Sequence, residues 1–207
     1  MEYLSKKKIK VYKNEVRIII ENLKIEMGNE WDFHYYLVGS GKRNMVVTSN
    51  EGFDLDYHLM LKKYPDGLSA EQIKNEFMSA FNNITPIHLS NSKDSTHVIT
   101  IKCVENGVLK YSYDFAIMKK NQFSQILKNE KENGSNGPYH FVQVPDSNNF
   151  FEKFSQIKGS DMWKNLREIY LEKKEEQHKS KKEERINSFS YLQEATNEVL
   201  QNHRKKS

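Results

Sequence analysis

The sequence holds a single cysteine, Cys103, among its 207 residues. No intramolecular disulfide can form, which excludes the disulfide-stapled scaffolds and makes a reducing compartment the natural setting. Cys103 lies in the largely apolar run 98–104, where a buried structural thiol fits better than a nucleophile needing a lowered pKa. Long apolar runs are missing as well. The basic first thirteen residues are followed by no apolar leader segment, and no stretch approaches the ~18 to 20 apolar residues of a membrane span. No membrane partner and a soluble, cytoplasmic protein are therefore expected. Charge of one sign is scarce too: 32 Lys and Arg against 28 Asp and Glu leave a net charge of +4. That balance permits contact with a polyanion without demanding it. No internal repeat is present, so the chain is not a repeat array.

What the sequence does hold is a globular composition, 37% hydrophobic and 12% aromatic. Its length suits one domain with a helical appendage. Apolar residues from Ile9 to Met27 recur at mostly helical spacing and predict an opening helix ended by Gly28 and Asn29. Residues 31–38 read as an aromatic-rich strand stopping at Gly39-Ser40-Gly41, read as a turn. Residues 53–61 alternate, which puts Phe53, Leu55, Tyr57, Leu59 and Leu61 on one face. Asp54 and Asp56 share the other, with His58 beside them to pack or to hydrogen-bond a carboxylate.

Ser69 with Gln72 has the form of a reciprocal helix cap ahead of Ile73, Phe77 and Phe81. Asn106-Gly107 predicts a hairpin between 97–104 and 108–118, with Asp114 in its second strand. Residues 133–138 read as an exposed loop. After Pro145 helical patterns take over, in 150–171 and again in 188–202, separated by a mixed-charge run over 172–185 that reads as a solvated helix or linker. The expected architecture is α+β: a mixed sheet packed by helices over 1–145, then a C-terminal helical extension, 146–207, packed on the first domain or projecting from it.

Two carboxylates two apart on a strand point the same way and raise each other's pKa unless a cation neutralises them. Hard divalent ions prefer a few carboxylate oxygens together with substrate phosphate oxygens. A third carboxylate from a neighbouring strand, Asp114, would complete a two-metal site for in-line phosphoryl displacement. The carboxylates of Asp54, Asp56 and Asp114 are then expected to converge on shared ions. Gly39 has no Cβ to block a phosphate, Ser40 adds a hydroxyl, and Lys42 or Arg43 would neutralise triphosphate charge. Tyr35 or Tyr36 would either pack in the strand or offer a ring to a base.

The order Gly39-Ser40, then Asp54-Leu55-Asp56, then Asp114 resembles the DNA polymerase beta-like nucleotidyltransferase superfamily. Within it the sequence is most similar to the branch of bacterial cyclic-oligonucleotide synthases and oligoadenylate synthases. It departs from that branch at Asn44-Met45, where Gly-Thr often follows the basic residue, and after Pro145, where the branch usually carries a larger helical domain. The ending, Trp163 to Leu171 and Ser188 to Val199, is similar to small nucleotidyltransferases of bacterial mobile elements.

The resemblance implies a nucleotidyltransferase fold. It implies an enzyme moving a nucleoside monophosphate from a nucleoside triphosphate to a hydroxyl, with two Mg²⁺ (or Mn²⁺) and release of pyrophosphate. Asp54, Asp56 and Asp114 would be the catalytic and metal residues, with Asp114 assisting deprotonation of the acceptor. Gly39 and Ser40 would bind phosphates. A protein side chain, an RNA end, another nucleotide and a small molecule all remain open as acceptor, as does the oligomeric state. The rival from another class is a catalytically silent nucleotide- or partner-binding module of a toxin–antitoxin or phage-defence system.

Overall fold

The computed structural model describes residues 1–120, 124–130, 137–145, 147–180 and 188–205. Most of the expected 133–138 loop and the end of the mixed-charge run, 181–185, lie outside the described residues. The elements, in chain order, are β1 (Glu2–Tyr3), α1 (Lys6–Met27), β2 (Asp32–Leu37), α2 (Gly39–Arg43), β3 (Val47–Thr48), β4 (Asp54–Lys63), α3 (Ala70–Ile84), β5 (Lys93–Asp94), β6 (Ile99–Glu105), β7 (Val108–Lys120), β8 (Ser124–Asn129), β9 (Tyr139–Gln143), α4 (Asn148–Ile157), α5 (Met162–Lys179) and α6 (Ser188–Arg204). They fall into two compact units, Tyr3–Val144, and Pro145–Ser207 together with Met1–Glu2.

In the first unit a seven-stranded sheet runs β2-β4-β7-β6-β5, with β8 pairing β7 and β9 pairing β8. Only β4 and β7 are parallel, so the sheet is mixed and the class is α+β. The parallel pair needs a long crossover, and α3 lies within it.

Helix α1 starts where the Ser5 side chain accepts from the Lys8 N–H and ends where Gly28, at φ 71°, donates to the Lys24 and Ile25 carbonyls. Ile9, Val16, Ile19, Ile20 and Leu23 are buried, but Val11, Ile18 and Ile25 are exposed. Each of those three sits two residues beyond a buried one, about 200° round a helix of 3.6 residues per turn. The apolar count in the sequence therefore overstates the buried stripe. Helix α3 has the reciprocal cap between Ser69 and Gln72 in place and buries Ile73, Phe77, Ala80 and Phe81. Both helices pack on one face of the sheet, against Phe33, Leu55, Tyr57, Leu59, Ile99, Ile101, Tyr113, Phe115 and Ile117. Each such aliphatic or aromatic side chain contributes about 1.5–3 kcal/mol by its burial. Cys103, 3% exposed, belongs to this core as a free thiol.

A buried ion pair ties the far edge of the sheet to α3. Lys74, 1% exposed, lies 3.0 Å from Asp94 and donates to the Val98 carbonyl. Asp94 also accepts from Tyr139 Oη (2.6 Å) and Asn129 Nδ2 (3.0 Å). Burial works against the Asp94 charge, but Tyr139, Lys74 and Asn129 outweigh it and hold the carboxyl below its ordinary range. Lys74→Met is expected to destabilise the protein by about 3 kcal/mol in urea unfolding, since it removes the cation from a largely buried carboxylate and leaves it only the neutral donors Tyr139 and Asn129.

In the second unit α4, α5 and α6 bury Phe150, Phe154, Ile157, Leu166, Tyr170, Leu192, Ala195 and Val199. Phe150 meets Phe189 edge-on at 4.8 Å, and Phe154 meets Trp163 at 5.8 Å. Among the described residues no helix is long and apolar enough to cross a membrane.

Candidate active site

Strand β4 alternates as its sequence requires. Leu55, Tyr57, Leu59 and Leu61 are buried in the helical face, while Asp54, Asp56 and His58 take the opposite one. Its parallel pairing with β7 sets Asp56 beside Asp114 and Asp54 beside Ser112. Adjacent strands lie about 4.8 Å apart, so the two registered aspartates are neighbours on one face. All three carboxylates sit on the face away from α1 and α3.

The Gly-Ser segment is not a plain turn. Gly39 breaks the chain direction at φ 57° and opens the short helix α2. The Val38 N–H donates to the Asp56 carbonyl (2.9 Å), which fastens the start of α2 to β4. The first N–H groups of a helix have no intrahelical partner, and Val38 offers no side-chain cap to them. An added Cβ on Gly39 would fall 2.3 Å from Asp56 Oδ2, and one on Gly41 would meet Leu37 and Leu55 at 2.9 and 3.0 Å. Gly39 thus leaves room for the carboxylate, and Gly41 lets α2 press onto the sheet. Arg43 Nη1 donates to the Gly39 carbonyl (2.7 Å), bracing the segment from its far end. Asn44 closes α2 at φ 56°, ψ 40°. Gly and Asn are the residues that tolerate this left-handed conformation, so asparagine suits the end of α2.

The electrostatics follow from three acids on one face. The carboxyl of Asp56 is pushed up to about 7, first by burial, then by the charges of Asp54 and Asp114; Arg43 pulls the other way. Burial also raises Asp114, against a hydrogen bond from Thr100 Oγ1 (2.6 Å) and the Lys102 charge, with Asp54 adding to the rise. His58 is lowered by burial and then by the nearby Lys42 ammonium, so its imidazole is neutral at pH 7. Tyr36, registered opposite His58 and 48% exposed, holds the same face, whereas Tyr35 packs at 6.3 Å against Tyr57 on the core side.

The expected convergence is only partly present. Among the described residues no three His, Cys, Asp or Glu side chains are gathered closely enough to enclose an ion. The three aspartates share a face, and their charges act on one another. Hard oxygen donors short of positive charge fit a divalent cation such as Mg²⁺. Two residues escaped the reading of the sequence: Thr100, bonded to Asp114, and Lys102, which acts on its charge. The alternation of 97–104 separates them from Ile99, Ile101 and Cys103, but does not say which set faces the aspartates.

No protein-family model and no curated protein matches the chain. Solved structures do. The Elizabethkingia meningoseptica CdnE cyclic dinucleotide synthase with GTP and Apcpp matches at 14% identity and TM-score 0.57, over 94% of this chain and 75% of that one. The Vibrio cholerae DncV cyclic AMP-GMP synthase, a prokaryotic cGAS homolog, matches at 8% identity and TM-score 0.57, over 81% and 60%. The fold is that of the nucleotidyltransferases. A further neighbour with this fold is the Bradyrhizobium diazoefficiens CD-NTase CdnG in complex with GTP, at 15% identity and TM-score 0.51, over 80% of this chain and 47% of that one. The chain thus spans about half to three quarters of the length of these three structures.

Proposed function

We propose that this chain is a nucleotidyltransferase, moving a nucleoside monophosphate from a nucleoside triphosphate to a hydroxyl. The observation carrying the reading is the register of Asp56 with Asp114 on adjacent parallel strands, with Gly39 closed against the Asp56 carboxylate. The solved neighbours bound to GTP, and to GTP with Apcpp, support a nucleoside triphosphate as donor.

In the reaction the acceptor oxygen bonds to the α-phosphorus and the bond to the bridging α–β oxygen breaks, so that pyrophosphate departs. The acceptor proton goes to the Asp114 carboxylate, which the parallel register sets beside Asp56 on the same face. Asp54 and Asp56, with Asp114, would hold two Mg²⁺ (or Mn²⁺). When bound, the ions supply charge neutralisation at the triphosphate and activation of the hydroxyl. The N–H groups opening α2, with the Ser40 hydroxyl, donate to phosphate oxygens. Lys42 places its charge beside them. Arg43 braces the Gly39 carbonyl and tempers the charge of Asp56, so its part is to hold the phosphate-binding segment as much as to meet phosphate.

Because the neighbours are cyclic dinucleotide synthases, a second nucleotide is the acceptor to test first. Incubation with each labelled nucleoside triphosphate and Mg²⁺, followed by mass spectrometry, reports base preference and acceptor together. A product heavier by one nucleoside monophosphate is expected. Nucleotide that binds but is returned unchanged, across nucleotide, RNA and protein acceptors, would favour the silent binding module instead.

A further inference from the structure

The hairpin of β6 and β7 contains one residue too many on the β7 side. Next to the Asn106-Gly107 turn, Glu105 pairs with Val108 and Val104 with Leu109, but Cys103 then pairs with Tyr111, so Lys110 is skipped. A single-residue bulge reverses which residues of the partner strand share a face with β7. Counted back from the turn without it, Ile99 would stand opposite Asp114, and Thr100 would face the core beside Tyr113. With it, Thr100 is opposite Asp114, and Ile99 meets Phe115 in the core. The bulge is held from the other side by Gly52, whose Cβ position lies 2.7 Å from the Lys110 carbonyl and whose φ is 79°. Beyond the bulge the backbone of Thr100 is fixed between two strands, as it also pairs with Lys93 of β5.

We infer that Thr100 is a positioning residue for Asp114, aimed there by the Lys110 bulge. Its hydroxyl donates to Asp114 Oδ1 at 2.6 Å. That bond occupies one oxygen and fixes the carboxylate plane, which leaves the other oxygen for an ion or for the acceptor proton. Thr100 touches neither substrate nor ion in this role; it acts through Asp114 alone. The inference rests on the nucleotidyltransferase reading, from which Asp114 takes its part as ligand and proton acceptor.

The test uses the full chain with Mn²⁺ as probe, binding followed by calorimetry in the presence of a non-hydrolysable nucleoside triphosphate analogue. Thr100→Val keeps the β-branched shape and removes the donor, so it is expected to weaken Mn²⁺ binding by about 10- to 100-fold, the usual effect of losing a group that orients a metal ligand. Thr100→Ser, which restores the hydroxyl, should recover most of that loss. In an Asp114→Asn background Thr100→Val should add little. Equal Mn²⁺ binding by wild type and Thr100→Val would overturn the inference, as would a loss that serine does not rescue or that persists without Asp114. Failure of the wild type itself to bind Mn²⁺ is a separate outcome and would overturn the nucleotidyltransferase reading, and this inference with it.

Discussion

Asp56→Asn is expected to abolish nucleotide transfer and, at the same time, to stabilise the metal-free protein. The first effect follows from removing a charged oxygen that would face the ions and triphosphate, a loss on the order of 10³-fold or more in turnover. The second follows from the burial of Asp56 and the charges of Asp54 and Asp114, which push its carboxyl up to about 7. Between about pH 4, its ordinary value, and pH 7 the folded chain keeps a proton that the unfolded chain has released. Stability must therefore fall as pH rises through that window and level off above it. Asparagine carries no titrating proton and no charge, so the slope from this group should vanish. A gain on the order of 1–3 kcal/mol above pH 7, or several degrees in Tm, is expected. Saturating Mg²⁺ should stabilise the wild type above pH 7 and leave the variant nearly unmoved. Thermal scans from pH 4 to 8, with and without Mg²⁺, measure all of this.

Gly39→Ala should separate folding from activity in the opposite direction. The new methyl group would lie 2.3 Å from Asp56 Oδ2, and φ there is 57°, in the left-handed region. Asp56 or the first turn of α2 must shift. Strain of this kind costs about 1–3 kcal/mol, which a domain of this size survives. The displaced carboxylate is less forgiving, since a misplacement of about 1 Å costs catalysis roughly 100-fold. A folded protein with a slightly lowered Tm and at least that loss of turnover is expected. Calorimetric unfolding paired with nucleotide turnover distinguishes this from simple unfolding, in which both would fall together.

The long, periodic elements were legible in the sequence because their signals are local. The period-two run from Phe53 to Leu61 sorted core from carboxylates, and Ser69 with Gln72 marked the start of α3. The Asn106-Gly107 turn located the hairpin, yet the turn alone misplaces every residue beyond the bulge. The skipped Lys110 lies against Gly52, a residue remote from the hairpin, and no turn signal within 97–118 announces it. Strands β8 and β9 carry weak alternation and are fixed by each other and by β7. The expected turn at Gly39 became a helix start because Gly41 can press against Leu37 and Leu55, a contact between elements that no local pattern encodes. The side of α1 left to Val11, Ile18 and Ile25 was hidden for the same reason: spacing shows which residues are apolar, and only packing shows which are covered.

The candidate site divides along the same line. Asp54, Asp56 and Asp114 were visible as a pattern, and the register places them on one face. Their incomplete closure around an ion, the hydrogen bond from Thr100 and the bracing of Gly39 by Arg43 depend on distances across strands. One element of that pattern changed meaning. Asn44, read in the sequence as a departure from the pattern, takes the left-handed conformation that ends α2.

Pyrophosphate release tests the central claim most directly. Each nucleoside triphosphate is offered with Mg²⁺ to the wild type and to an Asp54→Ala/Asp56→Ala variant, with EDTA as a further control. Release by the wild type with at least one nucleotide, abolished by EDTA and absent in the variant, is the expected result. Equal release by both proteins, or none by either with nucleotide, RNA and protein acceptors supplied, would contradict the assignment of these aspartates to nucleotide transfer.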